Sequence, residues 1–88
     1  MVSQKVTVIN PTGLHARPAA VLAREAKQFD SEIAVVSGSR KVDAKNVLAL
    51  MDAGVNGGME ITVECIGADE EEALKALILA IESGLGEL

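Results

Sequence analysis

The chain has 88 residues, of which 49% are hydrophobic, and a formal net charge of −5 at pH 7. This length allows one compact core, so we expect a single domain over residues 1–88. The acidic balance and the single aromatic residue, Phe29, argue against a nucleic-acid surface, which needs a basic stripe and stacking rings.

The first half of the chain predicts a strand, a helix and a hairpin. Residues 2–9 alternate apolar and polar side chains, as in a half-buried strand. Over residues 16–29 the apolar side chains recur at i, i+3, i+4 and i+7, which predicts an amphipathic helix. Residues 32–37 and 40–43 are short strands joined by a two-residue Gly-Ser loop, which suits a tight hairpin.

The second half predicts a short helix, a strand and a longer helix. Residues 46–54 (NVLALMDAG) begin with an asparagine N-cap and end at a glycine. Residues 60–66 alternate as a strand, and Asp69 and Glu72 then stand at the N-cap and N3 positions of the last helix, close to a capping box. The order β-α-β-β-α-β-α predicts an α+β sandwich of one sheet and one helical layer.

Cysteine and histidine usage limits the kinds of site that the chain can build. One cysteine, Cys65, cannot form an internal disulfide, and with a single histidine there is no Cys/His cluster. We therefore expect no metal and a packing role for Cys65. The N-terminus has no basic segment followed by a long apolar run, so we expect a cytoplasmic protein.

The stretch GLHARPAA contains the only histidine, His15, at the start of the first predicted helix. With His15 as the N-cap, Pro18 occupies N3, where its missing N–H removes no intrahelical bond. The backbone N–H groups of Ala16 and Arg17 are then free at the positive helix end, and the guanidinium can bind phosphoryl oxygens bidentately. Gly13 permits the close backbone approach at this corner. This pattern predicts that a neutral imidazole accepts a phosphoryl group here.

Other interpretations of these residues stay open. A lone histidine at a helix start can be a cap or an ordinary surface residue, and Arg17 can be a solvated helix charge. The helix NVLALMDA has more apolar side chains than so short a helix can bury, which favours an exposed interface, although Leu48 can equally be an isolated surface leucine. The basic residues before position 46 also leave room for a basic face around His15.

GLHARPAA resembles the active-site segment of HPr, the histidine-containing phosphocarrier of the bacterial phosphoenolpyruvate-dependent sugar phosphotransferase system. The likeness continues through NPTG, AKNVLALMDAGV and GGMEITVECIGADEEEAL, along nearly the whole chain. It implies an open-faced β-sandwich, in which a four-stranded antiparallel sheet is covered on one face by three helices, as a single HPr domain.

The resemblance also implies a function. His15 would take a phosphoryl group from phosphorylated enzyme I on its Nδ1 atom and donate it to an enzyme IIA domain of a sugar permease, with Arg17 stabilising the transferred group. The protein would be a phosphocarrier and not an enzyme in its own right, without a cofactor. One compact domain with a transient docking face favours a monomer, but the sequence does not fix the oligomeric state. Its partners would dock around the first two helices, on Ala16, Ala20, Arg24, Val47, Leu48 and Met51.

One position departs from the family pattern. Many HPr proteins have a regulatory serine at the N-cap of the second helix, and this chain has Asn46 there, which caps a helix equally well but has no hydroxyl to phosphorylate. A specialised branch is therefore an alternative, such as a fructose-type carrier, to which the ending AIESGLGEL is similar, or a nitrogen-related one. A regulatory binding module with the HPr fold is a further alternative. An acylphosphatase-like enzyme is disfavoured, because no phosphate-cradling loop is present.

Overall fold

The computed structural model describes residues 1–87 and contains all the predicted elements. They are β1 (Val2–Thr7), α1 (Ala16–Ala26), β2 (Glu32–Ser37), β3 (Arg40–Asp43), α2 (Val47–Asp52), β4 (Glu60–Ile66) and α3 (Glu70–Glu82).

The four strands form one antiparallel sheet in the order β1-β4-β2-β3. The central strand β4 points Ile61, Val63 and Cys65 into the core and leaves its alternate residues on the other face, as the period-two pattern predicts. Helix α3 packs against β1 and β4, and α1 packs against both other helices. The helices therefore cover one face of the sheet and leave the other open, which confirms the open-faced sandwich.

Two elements are shorter than the periodicity predicts. Strand β1 ends at Thr7 instead of residue 9. Val8 still contacts the turn that precedes β4, because its N–H donates to the Met59 carbonyl at 2.9 Å. Helix α1 ends at Ala26 instead of Phe29, because the Phe29 N–H bonds the Ala26 carbonyl, three residues back, in a tighter turn. Phe29 still packs on the core.

The start of α3 differs from the predicted capping box. Asp69 is the N-cap residue, but its side chain makes no bond to its own helix. Its carboxylate instead accepts the backbone N–H groups of Asp30 and Ser31, each at 2.9 Å, and the Ser31 hydroxyl. Glu70, not Glu72, reaches back over the helix start and accepts the Gly67 N–H at 3.1 Å. Asp69 therefore ties the segment before β2 to α3.

The pKa of the Asp69 carboxyl lies below its usual value of 3.8. The hydrogen bonds that it accepts stabilise its ionised form, and the Ser31 hydroxyl contributes most, followed by the Asp30 N–H. A group with a lowered folded pKa stabilises the protein above its unfolded pKa, and this contribution is lost as the pH falls through the folded value. We expect Asp69→Asn to be less stable than the wild type at pH 7, with the difference shrinking below about pH 3.8. Urea unfolding across that pH range measures it.

Asp30→Asn is the matched control for Asp69→Asn, since the exposed Asp30 takes part in the bond to Asp69 only through its backbone N–H. This control variant should follow the wild type at every pH. An Asp69→Asn penalty of the same size at pH 7 and pH 3 would contradict the assigned role of the carboxylate.

Cys65 is a free thiol with no exposed surface in the core. Burial raises its pKa, and the nearby carboxylates of Glu70 and Asp69 add to that shift. This environment keeps the thiol protonated, as befits the packing residue predicted from the sequence. Among residues 1–87, no helix is long and apolar enough to cross a lipid bilayer.

Candidate functional site

His15 is the N-cap of α1, as predicted. Its backbone is extended, with φ −73° and ψ −176°, and its carbonyl accepts the first helical bond from the Ala19 N–H at 2.8 Å. Its side chain makes no capping bond and is exposed. The imidazole is therefore free to react with a group presented from outside the protein.

The helix start beside His15 has the features of an anion site. Within residues 1–87, no carbonyl or side chain accepts the backbone N–H groups of Ala16 and Arg17, and both residues are exposed. Pro18 is buried at N3, where no N–H is needed. The Arg17 side chain forms no salt bridge with the described residues. The helix start therefore offers an anion two free backbone N–H groups, with the Arg17 guanidinium on the same turn.

The loop before His15 is held by a close contact with the segment after α2. Gly13 has φ +67°, and a Cβ atom there would lie 2.2 Å from the Val55 carbonyl oxygen. That same oxygen accepts the Leu14 N–H at 3.1 Å. Glycine is required at position 13 on two grounds, the positive φ and the lack of space.

A second glycine makes the reciprocal contact. A Cβ atom on Gly57 would lie 2.7 Å from the carbonyl oxygens of both Asn10 and Pro11. The two loops therefore interlock through Gly13 on one side and Gly57 on the other. This contact fixes the position from which His15 enters α1.

Three residues of this region do not follow from the sequence pattern: Asn10, Thr12 and Glu87. The Glu87 carboxylate accepts from the Thr12 hydroxyl at 2.6 Å and from the Asn10 side-chain amide at 3.0 Å. Asn10 is fully buried, and its amide also donates to the Gly13 carbonyl at 2.6 Å. Asn10 and Thr12 lie in the turn NPTG, a few residues before His15, so their position in the sequence indicates that they are near the site. Glu87 is more than 70 residues away in the sequence, and no neighbouring motif indicates its contact with this loop.

The exposed apolar surface predicted for α2 is present. Leu50 is buried in the core, whereas Leu48 and Met51 are 76% and 41% exposed. Beside them, a cavity of about 240 Å³ opens next to His15 and is lined by Leu14, His15, Met51, Gly54, Val55 and Asn56. Of the remaining predicted docking residues, Ala16 and Arg24 are exposed, and Ala20 and Val47 are half-buried.

The basic face around His15 is smaller than predicted. Lys41 lies on the open face of the sheet and pairs with Glu64 at 3.1 Å, and Arg40 pairs with Asp52 at 3.1 Å. Lys45 donates to the Phe29 carbonyl at 2.7 Å. Within residues 1–87, the basic side chains free of salt bridges on α1 and its C-cap are Arg17, Arg24 and Lys27.

The N-cap predicted at Asn46 is confirmed. Its side-chain oxygen accepts the Ala49 N–H at 3.1 Å, which satisfies one donor at the start of α2. The asparagine therefore does the structural work of a capping serine. In the part of the chain that the structure describes, no three His, Cys, Asp or Glu side chains group as metal ligands.

Both the sequence and the structure are similar to those of known proteins. Residues 2–83 match the model of the PTS-HPr family, described as the PTS HPr component phosphorylation site. The HPr-like protein Crh of Halalkalibacterium halodurans is 45% identical over 93% of this chain and 98% of its own length.

Solved structures agree. HPr of Thermoanaerobacter tengcongensis superposes with a TM-score of 0.95 at 43% identity, covering 100% of this chain and 99% of that chain. Crh of Bacillus subtilis, described as a dimer with a swapped domain, gives a TM-score of 0.78 at 42% identity over 94% and 95% of the two chains.

Proposed function

Because the chain belongs to the HPr family, we propose that it is a phosphocarrier of the phosphotransferase system, with His15 as the residue that carries the phosphoryl group. The observation that supports this most directly is the free imidazole of His15 beside the unpaired backbone N–H groups of Ala16 and Arg17. A carrier needs a nucleophile that partners can reach and an anion site of moderate strength. Helix-end electrostatics contribute about 0.3 to 2 kcal/mol, which lets the group leave again.

The proposed chemistry is a transfer between two nitrogens. The lone pair of the His15 Nδ1 atom attacks the phosphorus of phosphorylated enzyme I, the donor N–P bond breaks with its electron pair returning to the donor nitrogen, and a new N–P bond forms on His15. The reverse sequence delivers the group to an enzyme IIA domain. In both directions, the backbone N–H groups and the Arg17 guanidinium offset the negative charge on the phosphoryl oxygens.

The partner surface that we propose surrounds this site. Leu48 and Met51 supply exposed apolar area, the cavity next to His15 offers a recess for a partner side chain, and Arg24 supplies positive charge. Such a surface suits transient docking of partners with acidic rims, since rim charges act mainly on association rates. Ala16, Ala20 and Val47 complete it. These partners would be met in the cytoplasm.

The test of this function is intact-mass measurement after incubation with phosphoenolpyruvate, magnesium and purified enzyme I. We expect one acid-labile phosphoryl group on the wild type and its disappearance when an enzyme IIA domain is added. No adduct with any enzyme I, including one from the same organism, would contradict the carrier role.

Arg17→Ala should slow phosphoryl transfer about a hundredfold, as loss of a charge-stabilising donor does elsewhere. Stability should be unchanged or slightly higher, because a cation at the start of a helix is unfavourable. Rapid-quench transfer from enzyme I and thermal unfolding are the measurements. The transfer rate of Arg17→Lys should lie between those of the wild type and Arg17→Ala, since lysine retains the positive charge but cannot bind two oxygens bidentately.

Lys5→Ala is the matched control for Arg17→Ala, because it removes an exposed basic residue from β1 on the open face of the sheet, opposite the helices. This variant should transfer at the wild-type rate. Equal rates for Arg17→Ala and Lys5→Ala would rule out the role given to the guanidinium.

A regulatory binding module is the second candidate, and the identity to Crh favours it. Crh of Bacillus subtilis is described as a catabolite repression HPr, and this chain is 42% identical to it. In that case the protein would act by docking alone. The occupancy of His15 by phosphate in growing cells separates the two candidates, because a carrier cycles through the phosphorylated state and a docking module does not.

The oligomeric state is open to a direct measurement. The sequence favours a monomer without fixing the oligomeric state, and one structure of Thermoanaerobacter tengcongensis HPr, 44% identical to this chain, is described as a dimer, as is that of Crh. We propose a monomer, since the docking surface must be free for two partners in turn. Sedimentation of the purified chain at micromolar concentration decides this.

A further inference from the structure

The segment after α3 folds back over the loop that leads to His15. It turns through Gly84, Leu85 and Gly86, all with positive φ. Leu85 is the one non-glycine residue with positive φ among residues 1–87, and its side chain is 1% exposed in the core. A leucine adopts this conformation only where packing enforces it. The fold therefore holds Glu87 in a defined place.

Glu87 engages the donors of the His15 loop. A single carboxylate oxygen accepts from both the Thr12 hydroxyl and the Asn10 amide. The second hydrogen of that amide goes to the Gly13 carbonyl, two residues before His15, whereas the buried Asn10 Oδ1 has no partner among the described residues. A short chain of bonds thus runs from Glu87 to the backbone that presents the imidazole.

Glu87 also brings a negative charge to the site. Its pKa is lowered, first by the Thr12 hydroxyl and next by the Asn10 amide, so the carboxyl is ionised at neutral pH. The bonds to Thr12 and, through Asn10, to Gly13 hold this carboxylate against the loop that ends at His15. A phosphoryl group carries about −1.5 to −2 charges at pH 7, so the same carboxylate would repel it on His15.

We propose, building on the phosphocarrier role above, that Glu87 is a positioning residue that limits how tightly His15 holds its phosphoryl group. It does so by placing a like charge beside the group and by keeping the Thr12 hydroxyl engaged with its own carboxylate. The residue thereby favours release to the next partner over retention.

The test is the equilibrium between phosphoenolpyruvate and pyruvate, set at a fixed ratio with enzyme I. Glu87→Gln keeps the side-chain oxygen that accepts from Thr12 and Asn10 but removes the charge. We expect the ratio of phosphorylated to unphosphorylated protein to rise about fivefold, as for loss of one nearby like charge at a protein surface. Spontaneous loss of the phosphoryl group should slow as well.

Two further variants separate charge from structure. Glu82→Gln removes an exposed carboxylate from α3 and should leave the equilibrium at the wild-type ratio. Glu87→Ala removes charge and hydrogen bonds together, so it should raise the ratio at least as much as Glu87→Gln while lowering the unfolding temperature. The thermal unfolding of Glu87→Gln should stay close to that of the wild type.

The outcomes are distinct. A wild-type ratio in Glu87→Gln, with the wild type itself phosphorylated, overturns this proposal and leaves the carrier role standing. A lower ratio would mean that Glu87 stabilises the phosphorylated state, which also overturns it. A wild type that accepts no phosphoryl group from any enzyme I removes the carrier role, and this proposal with it.

Discussion

Replacing His15 with alanine is expected to abolish phosphoryl acceptance while leaving the fold intact. The imidazole is the only nitrogen nucleophile of its kind in the chain, so no second side chain can substitute for it. Because it is exposed and makes no capping bond, its loss should change the free energy of unfolding by no more than about 0.5 kcal/mol. Intact mass after incubation with enzyme I and phosphoenolpyruvate, together with thermal unfolding, measures both effects.

His15→Asn is the sharper companion variant. Asparagine is among the best N-cap residues, so this variant should be as stable as the wild type or more so, and still accept no phosphoryl group. Loss of acceptance therefore could not be attributed to a weakened helix start. A phosphoryl adduct on either variant would show that another residue carries the group.

Gly13→Ala should give the largest loss of stability of any small change near the site. A left-handed conformation costs a non-glycine residue about 1–2 kcal/mol, and overpacking adds about 1–3 kcal/mol. Here the new Cβ atom would lie 2.2 Å from the Val55 carbonyl oxygen, which belongs to the backbone and cannot rotate away. We expect a total of roughly 2–5 kcal/mol in urea unfolding. Slower phosphoryl acceptance should accompany it, since the displaced loop carries His15.

Gly38→Ala is the matched control for Gly13→Ala. Gly38 has φ +60° in the hairpin between β2 and β3, but a Cβ atom there would have no neighbour within 4 Å. This variant should lose only the conformational part, about 1–2 kcal/mol, and accept phosphate normally. Equal losses at positions 13 and 38 would mean that the contact with Val55 is not what constrains the loop.

The sequence predicted those features that depend on near neighbours in the chain. Strand and helix periods located every element, and the His15 and Asn46 caps followed from residues only a few positions apart. The exposure of Leu48 was likewise predictable, because a helix as short as α2 has only one face to bury.

The features that the sequence did not predict involve partners distant in the chain. Asp69 was expected to cap its own helix and instead binds the backbone 38 and 39 residues earlier. Glu87 contacts Thr12 and Asn10 across 75 and 77 residues. An asparagine in the turn NPTG would ordinarily be exposed. Asn10 is instead buried, and its side-chain amide donates to the Gly13 carbonyl and the Glu87 carboxylate.

The open face of the sheet offers a position for chemical labelling that lies apart from the surface around His15. Ser3 is exposed in β1 and pairs across the sheet with Glu64, on the side opposite the core. The one natural thiol, Cys65, is sealed in the core and stays protonated. A cysteine placed at position 3 would thus be the single reactive thiol for a fluorophore or a surface tether. Such a label would leave the His15 side free, so that the proposed gain and loss of a phosphoryl group could be tested on single molecules.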